Sequence, residues 1–202
     1  NSFNKVAYRE VIQYKMSILK MVSLEFNQRA SIDKKMAFKQ FCIKESYWLE
    51  DYSTYCALKL ENGNTIWPYW KLTDTQNLEK IHQIKVIQYL FHDQWSRLHN
   101  YCQSKGIKII GDMPIYVGHD SADVYSNPKL FQLNHKGEMI YQGGCPPCQF
   151  QREGQLWGTP VYKWENHQKT NYEWWQRRFK KLFQMVDIIR LDHFIGYAKY
   201  FR

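Results

Sequence analysis

The chain has 202 residues, five cysteines and a formal net charge of +9. Its Lys and Arg residues are spread over both halves among acidic residues, which argues against a nucleic-acid partner. No apolar run approaches the roughly 20 residues of a membrane span, so no membrane partner is expected. The odd cysteine number and the lack of a signal peptide predict a cytoplasmic protein.

The first half of the chain is predicted to be helical. Apolar residues recur at helical spacing from about residue 6 to 26, namely at Val11, Ile12, Ile18, Leu19 and Val22. Ser31 is typical of a helix start, and this second helix is predicted to continue through residue 52 and to stop at residues 62–64. Residues 67–70 indicate an extended loop, and a long helix is predicted from Asn77 to Ser104.

Two short strands are predicted in the second half, each ending in charged residues. An apolar run at residues 107–110 leads to Asp112, and Ile188 and Ile189 lead to Arg190 and Asp192. Such runs are typical of buried parallel strands, whose carboxyl ends hold the chemistry of barrel enzymes. A helix over residues 171–184 is predicted to precede the second strand, and its tryptophans are expected in the core.

Arg190 stands two residues before Asp192, so both side chains point to the same side of the strand. The cation can hold the carboxylate in its ionised form. An oriented carboxylate is the nucleophile of retaining sugar-cleaving enzymes. A plain ion pair at the strand end is the other interpretation, and these residues alone leave both open.

Residues 143–162 lie between these strands in the sequence and contain many turn-forming residues. They hold too much Gly and Pro to continue a helix or a central strand, which predicts a loop. The aromatic side chains in this loop, Trp157 above all, suit the flat apolar faces of a sugar ring.

Together these segments resemble the 4-alpha-glucanotransferases of glycoside hydrolase family 77, known as amylomaltases or disproportionating enzymes. The resemblance covers about residues 45 to 202. The motifs that carry it are Tyr47-Trp48-Leu49-Glu50-Asp51-Tyr52, Trp67-Pro68-Tyr69-Trp70, Gly111-Asp112-Met113-Pro114-Ile115-Tyr116-Val117, His119-Asp120-Ser121-Ala122-Asp123-Val124, Gly154-Gln155-Leu156-Trp157-Gly158 and Arg190-Leu191-Asp192-His193-Phe194.

The resemblance implies an α/β fold that is part of a TIM (β/α)8 barrel with a helical insertion. Residues 1–104 are expected to be the helical insertion region, and residues 105–202 a barrel segment with two strands and the loop that covers the glucan. A closed barrel typically needs about 250 residues, so the barrel is expected to be incomplete in this chain and to need the remainder as its partner.

The resemblance also implies a reaction: transfer of an α-1,4-glucan segment from a maltooligosaccharide donor to an acceptor by a retaining double displacement. Asp192 is the implied nucleophile. The implied substrate-binding residues are Asp112, Arg190, His193, Phe150, Gln155 and Trp157. Loop closure over the glucan is expected to keep water from the covalent intermediate.

The general acid and base of the family is a Glu on a later strand. None of residues 194–202 is acidic, so this Glu is expected beyond residue 202, and the isolated span is predicted to be inactive. Two alternatives remain: a non-catalytic protein that binds α-glucan, and a thiol protein that uses Cys145 and Cys148. No cofactor or metal is expected, because His119 and the acids after it favour loop hydrogen bonds over a ligand set.

Overall fold

A computed structural model describes residues 5–71, 77–147, 149 and 151–198. Helices dominate the first half, and short strands alternate with short helices in the second. In chain order the elements are α1 (Tyr8–Arg29), α2 (Ile32–Lys44), α3 (Ser46–Glu61), α4 (Leu78–Ser104), β1 (Ile110–Met113), α5 (Ala122–Ser126), β2 (Gln142–Cys145), β3 (Gln155–Pro160), α6 (Trp164–Lys169), α7 (Glu173–Phe183) and β4 (Ile188–Leu191).

The chain forms two compact units. The first comprises Asn1–Leu58 and Thr73–Asp93, and the second comprises Lys59–Leu72 and Gln94–Arg202. Every residue of the candidate site described below belongs to the second unit. The predicted division into residues 1–104 and 105–202 stays a prediction. Among the described residues, no helix combines the length and the apolar composition that spanning a membrane requires.

The first unit has an aromatic core. The buried residues that form this core cluster are Phe26, Phe41, Leu49, Val86 and Tyr89. The rings meet mostly edge to face. The centroid of the Phe38 ring lies 5.3 Å from that of Phe26 and 5.6 Å from that of Tyr89. Aromatic quadrupoles favour this geometry.

Three details of the helical prediction are wrong. The helix predicted from Ser31 through residue 52 is divided at Glu45, whose buried carboxylate accepts a hydrogen bond from the Trp48 indole at 2.5 Å. Val11, Ile12 and Val22 are exposed, because the core of this unit contacts α1 through its C-terminal turns, where Phe26 lies. Trp67–Tyr69 is a 3-10 turn instead of an extended loop. The Ser31 start and the long helix α4 are confirmed.

The second unit packs around Tyr162, which is fully buried. Its hydroxyl donates to the Ile115 carbonyl at 2.5 Å, and burial raises its pKa above the usual value. Trp175 of α7 is also buried in this core, as the sequence predicts. The other buried members are Met113, Ile115, Tyr116, Val124 and Phe131.

Strands β1 and β4 pair in parallel, with Ile110 opposite Ile188 and Asp112 opposite Arg190. The parallel pairing is therefore confirmed, but the predicted burial is wrong. Ile110 is 66% exposed and Ile188 is 44% exposed, since no third strand pairs with these two among the described residues. The segment predicted as a loop also differs, because β2 and β3 form an antiparallel pair with a bulge between Gln142 and Gly144.

Candidate active site

The carboxyl ends of β1 and β4 bring three charged side chains together. Asp112 and Arg190 are register partners across the parallel pair, and Asp192 follows β4 directly. The Asp192 backbone N–H donates to the Met113 carbonyl at 3.2 Å, which continues the pairing by one residue. This regular backbone fixes the positions from which the three side chains project.

One nitrogen of Arg190 joins both carboxylates. Arg190 Nη2 donates to Asp112 Oδ2 at 2.5 Å and to Asp192 Oδ1 at 3.0 Å. The hydrogen bond to Asp112, followed by the charges of Asp112 and Asp192, raises the pKa of Arg190 above its usual value. The guanidinium is therefore a fixed cation between two acids, as the spacing of Arg190 and Asp192 predicts.

These ion pairs contribute little to folding stability. The side chains of Asp112, Asp192 and Arg190 are 52%, 49% and 61% exposed, and exposed pairs are screened by water and salt. Three half-exposed charges that converge on one point are better explained by binding or chemistry than by stability.

The β2–β3 pair carries an aromatic side chain to the same place. Gly144 lies opposite Leu156, and a Cβ on Gly144 would stand 2.1 Å from the Gln155 carbonyl oxygen. Only glycine permits this approach of the two strands. Gln155 and Trp157 share one side of β3, and the Trp157 indole donates to Gln155 Oε1 at 2.9 Å.

His193 connects the two parts of the site. It follows Asp192 directly and has a left-handed backbone, with φ of 46°, which turns the chain sharply after β4. Its ring meets the Trp157 ring edge to face, with the centroids 5.4 Å apart. The acids on β1 and β4 and the aromatic face of β3 thus border one surface.

Tyr116 is not among the predicted site residues, yet its ring packs against Trp157. Tyr116 is buried, its ring centroid lies 5.7 Å from that of Trp157, and its ring is stacked on Tyr162 at 6.2 Å. Its position three residues after β1 was the available signal, because side chains there lie near the strand's carboxyl end. Trp157 therefore rests on the buried core.

The predictions about this region have different outcomes. Asp112, Arg190 and Asp192 are in direct contact, and Gln155, Trp157 and His193 form the adjoining group. Their roles in binding and catalysis stay predictions. Phe150 lies outside the described residues, and so does Cys148, the partner of the proposed dithiol. Cys145 is a half-buried free thiol at the end of β2.

The acids near His119 form loop hydrogen bonds, as the sequence favours. Asp120 pairs with Lys59 and accepts from the Trp67 backbone N–H at 3.3 Å. His119 Nε2 lies 2.7 Å from the Gly137 carbonyl oxygen. Within the part of the chain that the structure describes, no three His, Cys, Asp or Glu side chains are arranged to hold a metal ion.

The sequence of this chain matches a family of known proteins. The family model for 4-alpha-glucanotransferase of glycoside hydrolase family 77 matches residues 1–202. The 4-alpha-glucanotransferase of Clostridium butyricum is 39% identical over 96% of this chain and 42% of its own length. That of Synechocystis is 36% identical over 97% of this chain and 41% of its own length.

A solved structure agrees. The amylomaltase from Streptococcus agalactiae, in complex with acarbose, superposes with a TM-score of 0.87 at 30% identity. The match covers 99% of this chain and 43% of that one, so the predicted fold class, part of a TIM barrel, is confirmed. The chain spans about two fifths of the length of the relatives it matches. It belongs to the 4-alpha-glucanotransferase family, glycoside hydrolase family 77.

Proposed function

We propose that this chain supplies the nucleophile of an enzyme that transfers α-1,4-glucan segments between maltooligosaccharides, and that Asp192 is this nucleophile. The observation that carries the proposal is the Arg190 guanidinium, which donates to Asp192 and Asp112 where β1 and β4 end. Membership of the family and the acarbose complex of the S. agalactiae amylomaltase support an α-glucan as the substrate.

The geometry leaves one oxygen of Asp192 available for attack. Asp192 Oδ1 accepts the bond from Arg190, whereas no hydrogen bond to Oδ2 occurs among the described residues. Asp192 Oδ2 attacks the anomeric carbon of the donor, and the glycosidic bond breaks as its oxygen receives a proton from a general acid. The acceptor hydroxyl then attacks the glycosyl ester and gives its proton to the same group, so the configuration is retained.

The second carboxyl group is proposed to come from a part of the enzyme outside this span. Retaining enzymes need two carboxyl groups about 5 Å apart, of which only one is the nucleophile. Asp112 shares the Arg190 cation with Asp192, so it is better suited to hold a donor hydroxyl than to give a proton. The isolated span is therefore predicted to be inactive.

Gln155, Trp157 and His193 are proposed to bind the glucan. Trp157 is 36% exposed and rests on buried Tyr116, so it presents a supported aromatic face beside polar groups. Sugar rings bind such faces through their CH groups and bind the amide and imidazole through their hydroxyls. Phe150 keeps its proposed place in the same covering segment, and the cytoplasmic location stays a prediction.

The test combines a product assay with covalent trapping on the full-length enzyme. With maltotriose as the sole substrate, the enzyme is expected to produce glucose together with longer oligosaccharides. A slow maltosyl fluoride with a blocked acceptor hydroxyl should label one peptide, and fragmentation should place the sugar on Asp192. Maltoheptaose binding by calorimetry without any redistribution would instead support a non-catalytic glucan-binding protein, and a label on another residue would contradict the assignment of Asp192.

A further inference from the structure

The second unit contains a cavity that shares no residue with the candidate active site. Its volume is about 430 Å³, within the usual range of small-molecule sites. Two aromatic residues and four basic residues line it together: Trp67, Phe131, Lys129, His135, Lys136 and Lys163.

One wall of the cavity is a rigid turn. Asn134 Oδ1 accepts hydrogen bonds from the backbone N–H groups of Lys136 at 2.9 Å and Glu138 at 3.0 Å. Gly137 has φ of 82°, and a Cβ there would stand 2.3 Å from the Trp67 ring, so the turn lies directly against that ring. His135 and Lys136 are therefore presented from a fixed backbone.

A second part of the lining is held in a similar way. The Lys163 backbone N–H donates to the Leu130 carbonyl at 2.9 Å, and Asn166 Nδ2 donates to the Lys129 carbonyl at 2.6 Å. These two bonds fix the backbones that carry Lys129 and Lys163. Basic side chains from two separate segments thus border one space.

Acids offset the charge of the cavity only in part: besides the hydrogen bonds from Asn134 and Tyr69, the charges of Lys136 and His135 help to lower the pKa of Glu138, which does not line the cavity. No carboxylate lines it, and no ion pair of Lys129, Lys136 or Lys163 occurs among the described residues. The nearest acid on the turn, Glu138, is bonded by Asn134 Nδ2 and by the Tyr69 hydroxyl, both at 2.9 Å. A phosphate monoester forms charge-assisted hydrogen bonds with such a group of cations, whereas a neutral glucan carries no charge for them to pair with.

We propose that this cavity binds a sugar that carries a phosphate monoester. The lysines hold the phosphate oxygens by charge-assisted hydrogen bonds, and the sugar ring packs beside Trp67, which is half-buried. The proposal does not depend on Asp192, because the cavity is formed without any active-site residue.

Calorimetry on the full-length enzyme tests it with three probes: glucose 6-phosphate, glucose and inorganic phosphate. Glucose 6-phosphate is expected to bind saturably, at least about tenfold more tightly than either of the others, and more weakly at higher salt. Failure of glucose 6-phosphate to bind overturns the proposal. Equal affinity for inorganic phosphate overturns its sugar part.

Three variants locate the binding. The double variant Lys136→Gln with Lys163→Gln removes two exposed cations and should weaken glucose 6-phosphate binding about tenfold or more. Lys180→Gln, an equally exposed lysine on α7 outside the cavity, should leave binding unchanged. Lys163→Arg keeps the charge and should retain binding. Unaltered affinity in the double variant, with a melting temperature equal to that of the parent, overturns the assignment to this cavity.

Discussion

The two strand pairs of the second unit achieve their positions by different means. β1 and β4 run in parallel through apolar β-branched residues and place charged side chains where they end. β2 and β3 are an antiparallel pair, and glycine lets their backbones approach. One pair supplies the acids and the other the aromatic face.

This difference separates the proposed nucleophile from the proposed glucan contacts. The acids depend on strand register, which the ladder from Ile110 to Met113 fixes by regular hydrogen bonds. Trp157 depends on the close approach at Gly144 and on support by Tyr116. Damage to the first pair should therefore abolish catalysis without unfolding, whereas damage to the second should reduce stability as well as activity.

The largest effect is expected from Asp192→Asn in the full-length enzyme. Loss of the nucleophile should lower kcat for maltotriose disproportionation by at least about 10³-fold, because no covalent intermediate forms. The melting temperature should change little, since the side chain is 49% exposed. Glu165→Gln, at an exposed acid in α6, is the control and should keep parental activity. A kcat within a few-fold of the parent would remove Asp192 from the mechanism.

A smaller effect on catalysis is expected from Arg190→Gln. Loss of two charge-assisted hydrogen bonds from one nitrogen should lower kcat by about 10- to 100-fold. Arg190→Lys should restore only part of the activity, because an ammonium cannot reproduce the planar fork. Arg177→Gln removes an equally charged side chain that pairs with Glu173 on α7 and should have no effect on kcat. Full activity of Arg190→Gln would contradict the bridging role.

For the β2–β3 pair, Gly144→Ala is the sharpest test of how closely the two strands must approach. The new Cβ meets the Gln155 carbonyl oxygen, so the strands must separate and the free energy of unfolding should fall by about 1–3 kcal/mol. Gly118→Ala is a matched control, since a Cβ there meets nothing within 4 Å. Denaturant unfolding of both variants measures the difference. Equal stability of the two would show that β2 and β3 tolerate a wider separation.

The smallest effect concerns pH and the amino end of β4. Asp187 accepts hydrogen bonds from the Ile109 N–H and from Gln103, and His99 lies 3.0 Å away; these contacts lower its pKa from 3.8 to about 2. A lowered pKa in the folded state means stability that is present above about pH 4 and lost as the pH falls toward 2. Asp187→Asn should therefore melt below the parent at neutral pH and converge with it near pH 2. A difference in melting temperature that does not change with pH would exclude this origin.

The sequence predicted the parallel strands and the charged residues at their ends. Ile188 and Ile189 signal a strand locally, and the period-two spacing of Arg190 and Asp192 makes their contact a geometric consequence. The start of α2 at Ser31 and the whole of α4 are equally local, because a cap and a helical period are properties of neighbouring residues.

Other features were decided by the tertiary structure. Residues 143–162 contain so many turn formers that local preference indicates a loop, yet contact with Tyr116 and Gln155 draws Gly143 and Gly144 into a strand. Glu45 interrupts a helical pattern because its carboxylate is buried against Trp48. Composition and spacing by themselves determined which chemical groups stand at the strand ends. Only packing decided that Trp157 contacts Tyr116 and His193, since these contacts join segments distant in sequence.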